Sequence, residues 1–132
     1  MLDRYLEQLV KELSLEPVAP ADEQKRRHLK LGSLSIALQN LDPGFYFFSQ
    51  IAPIPKPKRE ELFMLLMKAN FLGQGTGGGT IGLMEDESFL TLSLALPYDM
   101  NYKAFRETLE DFANFVEYWQ KEVAKHQAEA LK

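Results

Sequence analysis

Between Glu60 and Leu96 an almost wholly apolar run, LFMLLMKANFL, empties into GQGTGGG, and the glycines empty into two alternating runs, TIGLME and FLTLSLALP. No other feature restricts the fold as much. Gly73, Gly75 and Gly78 satisfy the spacing G-x-G-x-x-G, which invites a phosphate-binding reading. Phosphate loops run strand, glycines, helix, so that amides at a helix N-terminus face the anion. Here a helix precedes the glycines and a strand follows them, and the negative end of a helix dipole repels anions. No lysine stands before Thr80 to complete G-K-[ST]. These glycines therefore end a helix and turn the chain into a sheet.

The helix that they end, Arg59 to Asn70, carries Leu62, Phe63, Leu65, Leu66, Met67 and Ala69 over far more than one stripe. A helix apolar nearly all round must be covered on more than one side. The sheet of so small a chain covers one face. The other is expected to meet a second copy of the protein, with burial under another helix of the same chain as the alternative.

Upstream, Leu2, Tyr5, Leu6, Leu9, Val10 and Leu13 recur at helical spacing, and Pro17 and Pro20 close that helix. Leu29 and Leu31 then alternate with polar residues, Gly32-Ser33 shifts the phase, and Leu34, Ile36 and Leu38 alternate again. A parity slip at a glycine implies a tight turn or bulge between two strands. Asp42-Pro43-Gly44 turns the chain into FYFFSQIAP, a strand with aromatic residues on both faces, and Pro53, Pro55 and Pro57 end pairing. After the glycines, Ile81 and Leu83, then Leu90, Leu92, Leu94 and Leu96, form a hairpin. Tyr102, Phe105, Leu109, Phe112, Val116, Trp119 and Val123 make the stripe of a last helix, expected to fray from Ala124 onward. Such a stripe suits a coiled coil or docking across a sheet, and docking fits a compact domain better. The expected fold is α+β, in the order α-β-β-β-α-β-β-α, as one domain over residues 1–132. Its antiparallel sheet carries helices packed mainly on one face.

Fifteen basic against nineteen acidic residues give a net charge of -4, which disfavours nucleic acid and anionic membranes as partners. The basic clusters Lys25 to Arg27 and Lys56 to Arg59 read as solvated loop edges. Zero cysteines remove thiolate chemistry and most zinc sites. No signal peptide or membrane span is legible, so cytoplasmic residence is expected. Catalysis finds no footing. His28 and His126 have no motif partner, no G-x-S-x-G occurs, and Glu85-Asp86-Glu87 lacks the alternation of a calcium loop. No enzyme, metal site or cofactor is expected. Binding has better support, because both faces of the Phe45 to Ala52 strand are apolar and Tyr5 and Leu9 join them. These residues form either a partner surface or the core.

The segment NFLGQGTGGGTIGL and its neighbours resemble the Tir chaperone family, the class I chaperones of bacterial type III secretion. The matching residues are Leu65, Leu66, Asn70, Leu72, Gly75, Thr76, Gly78, Ile81, Leu83, Leu92 and Leu96. Residues 45–59 are less typical. The resemblance implies a homodimeric bacterial cytoplasmic chaperone without cofactor. It would hold the N-terminal segment of one or more effectors in extended form and keep them competent for secretion and virulence. The ATPase of the secretion apparatus would be a further partner. On this resemblance Phe63, Leu66, Met67, Phe71 and Leu83 are assigned to the dimer contact. Tyr5, Leu9, Leu29, Leu31, Leu34, Ile36, Phe45 and Phe47 are assigned to client pockets. The alternative is a non-secretory protein-binding or regulatory protein of the same fold, like YbjN.

Overall fold

The computed structural model describes residues 1–130. Its elements run α1 (Leu2–Leu13), β1 (Arg26–Leu31), β2 (Leu34–Asn40), β3 (Phe45–Pro53), α2 (Arg59–Asn70), β4 (Thr80–Leu83), β5 (Phe89–Leu96) and α3 (Tyr102–Ala130). All strand pairs are antiparallel, in the order β1-β2-β3-β5-β4. This is the α+β order expected from the sequence.

Each element follows from its pattern. The stripe Leu2, Tyr5, Leu6 and Leu9 is the buried face of α1, and Ser14 ends the helix in the left-handed conformation (φ 53). The parity slip at Gly32 is a tight turn: Leu31 faces Leu34 across the β1–β2 hairpin, and Gly32 takes φ 62. A left-handed residue at such a turn suits glycine, which has no Cβ to clash. In β3 the alternation puts Phe45, Phe47, Ser49 and Ile51 inside and leaves Tyr46 and Phe48 half-buried on the other face.

Tyr5, Phe45, Phe105, Phe47 and Phe112 form one aromatic chain beneath α1 and α3, with successive ring centroids 5.8, 4.9, 5.9 and 5.6 Å apart. The stripe of α3 thus docks across the sheet. Burying each such large apolar side chain contributes roughly 1.5–3 kcal/mol. The helix does not fray at Ala124. It continues to Ala130, with Val123 buried and a hydrogen bond of 3.1 Å between His126 Nε2 and the Lys58 carbonyl.

Candidate binding surfaces

The glycine loop is a structural joint. Beyond α2 a 3-10 turn spans Phe71–Gly73, with Leu72 at φ 54. Gly73, Gly77 and Gly78 then adopt φ of 70, 64 and 89. A Cβ on Gly75 would lie 2.9 Å from the Ala69 Cα. That close approach is held by Gly75 N–H donating to the Ala69 carbonyl at 3.0 Å and by Trp119 Nε1 donating to the Gly75 carbonyl at 2.9 Å. The buried Thr76 hydroxyl donates to the Gly79 carbonyl at 2.6 Å. Finally the Asn70 side chain donates to the Ile81 carbonyl at 2.9 Å and accepts from the Ile81 N–H at 2.7 Å.

Apolar residues of α2, the joint and β4 stay exposed around it. Met64, Met67, Phe71, Leu72 and Leu83 are 61, 72, 66, 79 and 46% exposed. An apolar face of this kind marks a contact surface. Between α2 and β4 lies a slot of about 210 Å³ lined by Phe63, Leu66, Met67, Ile81, Leu83 and Leu90. Four of the residues assigned to the dimer contact (Phe63, Leu66, Met67 and Leu83) therefore surround one slot, and Phe71 lies exposed just beyond the end of α2. Leu66 is a buried wall, 5% exposed. Met64 and Leu72 are also exposed, although neither is among the residues assigned to the dimer contact, and both stand in the LFMLLMKANFL run.

The residues assigned to client pockets lie elsewhere. Tyr5, Leu9, Leu29, Leu34, Ile36, Phe45 and Phe47 are all buried in the core, and Leu31 alone is half-buried. The physical reason is that α1 and α3 cover the same sheet face, so that Phe45 and Phe47 spend their surface on Phe105 and Phe112. In this conformation these side chains hold the fold and are not open to a client. The face away from the helices instead presents Tyr46 and Phe48, with the Arg26 guanidinium 5.6 and 5.3 Å from their ring centroids. The sheet also forks there. β2–β3 pairing stops at Ala37 and Phe48, and the Ser49 hydroxyl bridges the fork to the Ser35 carbonyl at 2.8 Å.

The two outer edges of the sheet differ. At β1, Asp22 N–H donates to the Arg26 carbonyl at 2.9 Å, and Arg26 N–H donates to Asp22 Oδ1 at 2.9 Å. The backbone groups of Arg26 thus point away from β2. Strand alternation gives His28 and Lys30 the same outward direction. Asp22 Oδ2 also meets His28 Nε2 at 2.8 Å. The imidazole, followed by the Arg26 amide, holds the Asp22 carboxyl below the usual carboxylate range. Arg27 ties the preceding connection to the helix side, donating to the Val18 and Ala19 carbonyls at 2.9 and 3.1 Å and to Asp3 at 2.6 Å. Among the described residues the β1 edge is therefore open from His28 to the hairpin turn, whereas the Asn70 amide covers β4 at Ile81.

Among the described residues no three potential metal-binding side chains cluster, and no helix is long and apolar enough to cross a membrane.

Residues 4–120 match the Tir chaperone protein (CesT) family. No curated protein sequence matches the chain. Among solved structures, it is similar to the ExsC–ExsE complex, with TM-score 0.72, 17% identity and 91% of each chain covered. It is also similar to the heterodimeric ExoU–SpcU complex from the type III secretion system of Pseudomonas aeruginosa. There the TM-score is 0.65 at 14% identity, over 93% of this chain and 94% of the other. YbjN from E. coli shares the fold as well, with TM-score 0.60 and 16% identity over 96% of this chain and 93% of the other.

Proposed function

This chain belongs to the Tir chaperone family, and from that premise we propose a dimeric type III secretion chaperone that holds the N-terminal segment of an effector in extended form, keeping it soluble and secretion-competent. The observation that carries this reading is the asymmetry of the sheet, open along β1 and covered at Ile81 in β4. An extended client adds its backbone to such an edge, and main-chain hydrogen bonds supply affinity without requiring a folded partner. Ordering the client costs about 2–5 kcal/mol or more, so a large wrapped surface is needed.

The second copy would cover the apolar face of α2 and the slot beside β4. A symmetric dimer gives the client two equivalent edges. No catalysis or cofactor enters this function. It suits a bacterial cytoplasmic protein that hands its client to the ATPase of the secretion apparatus. The fold alone, shared with YbjN, does not separate a chaperone from a regulator, and the family match favours the chaperone.

The test is to capture clients from the native host, identify them by mass spectrometry and digest the complex with protease. A protected segment near the client's N-terminus, attached to an otherwise folded effector, is the expected result. A captured partner bound only through a folded domain, with no protected extended segment, would overturn the reading.

A further inference from the structure

The side chains of β1 sort by parity. Leu29 is buried and Leu31 half-buried on the helix side, while Arg26, His28 and Lys30 stand on the open side of the sheet. The backbone groups of those same even-numbered residues point out of the sheet. A strand added at this edge therefore sets two of its own side chains directly beside His28 and Lys30. The residue between those two faces the side of Leu29.

Opposite charges directly across a strand pair are favourable, and like charges are not. The protein already makes one such contact. Asp22 pairs with the backbone of Arg26 as a neighbouring strand would, and its carboxylate reaches His28 at 2.8 Å. Lys30, one step further along the open edge, has no carboxylate within ion-pair distance among the described residues.

We propose that the segment held at β1 alternates polar and apolar residues, with an acidic side chain set against Lys30, the basic residue that no carboxylate meets among the described residues, and its apolar ones facing the side of Leu29 and Leu31. This rests on the extended-client function above and adds what the client must look like. The net charge of -4 works against an acidic segment at long range. The basic column along β1 consequently acts as a short-range selector rather than a general attractant. It also disfavours a second copy as the occupant of this edge. Pairing β1 with β1 across a two-fold axis, in the register that puts Lys30 opposite Lys30, would set like charge on like charge.

The probes are three blocked peptides of identical length in which Val alternates with Asp, Asn or Lys. Binding to the full chain is followed at low salt by fluorescence anisotropy and by amide hydrogen exchange. The Asp peptide is expected to bind about fivefold tighter than the Asn peptide, the Lys peptide weakest of all, with slowed exchange at the His28 and Lys30 amides. Lys30→Glu, at an exposed position, should invert the order of the Asp and Lys peptides. Equal affinities with the same amide protection would overturn the acidic rule and leave strand addition standing. Binding of none of the peptides, or binding without protection of these amides, would overturn strand addition at β1 and the rule with it.

Discussion

Asn70, the last residue of α2, pairs its side-chain amide with both backbone groups of Ile81 in β4, at 2.9 Å to the carbonyl and 2.7 Å from the N–H. One donor and one acceptor side by side are what a neighbouring strand would offer at that step. The amide thus fastens the end of α2 to the sheet and covers the β4 edge at Ile81. Among the described residues β1 carries a comparable cover only at Arg26, from Asp22. A single sheet consequently has one edge fastened to its own helix and one available to another chain.

Replacing Asn70 by Ala removes both hydrogen bonds and leaves the Ile81 groups to water or unpaired. Its expected cost is about 1–3 kcal/mol in urea-induced unfolding. Asn70→Asp keeps an acceptor for the Ile81 N–H but sets a carboxylate against the carbonyl, so it should be destabilised as well. Unchanged stability in Asn70→Ala would show that the pair contributes nothing net.

Met67 and Leu66 separate the proposed dimer contact from the fold. Met67 is 72% exposed, and Met67→Asp is expected to give folded monomers by light scattering with an unchanged circular dichroism spectrum. Leu66 is 5% exposed, and Leu66→Asp buries a charge beside the slot, so it should unfold the chain itself. A dimer that persists in Met67→Asp would move the contact off this face of α2.

Phe47 is fully buried against Phe105 and Phe112. Phe47→Ala is expected to cost about 3–5 kcal/mol, and Phe47→Asp to abolish the native circular dichroism spectrum. A folded Phe47→Asp variant with weakened client binding would instead restore Phe47 to a client pocket.

The element order was legible because its periods are clean. The slip at Gly32, the alternation from Leu90 to Leu96 and the helix-glycine-strand order each admit few alternatives. What alternation cannot say is which layer covers a given face. Phe45 and Phe47 read equally well as core or as client pocket until α1 and α3 are found on the same side. The contacts that pin the glycine joint were illegible for another reason. Asn70 meets Ile81 across eleven positions and Trp119 meets Gly75 across 44, and no local pattern encodes either meeting. The motif residues Asn70, Gly75 and Thr76 were visible as a signature, but their role as fasteners emerges only from the geometry.

The clasp between α1 and α3 yields a prediction on both sides of neutrality. Glu12 accepts from the Tyr102 hydroxyl at 2.8 Å and from Arg106 at 3.1 Å. The tyrosine hydrogen bond, assisted by Arg106, holds its carboxyl below the ordinary 4.5. Burial, then the hydrogen bond to Glu12, pushes the Tyr102 phenol from 10.0 up to about 12. A depressed carboxyl contributes stability that is present above about pH 4.5 and is lost as pH falls through its lower folded value. A raised phenol contributes stability that is present below pH 10.0 and is lost as pH rises toward about 12. Melting temperatures measured across both windows should therefore fall at each end. Glu12→Gln should flatten the acid limb, and Tyr102→Phe the alkaline one. If Glu12→Gln follows the parent curve unchanged down the acid limb, the loss of stability there comes from other carboxyls and the clasp does not set it.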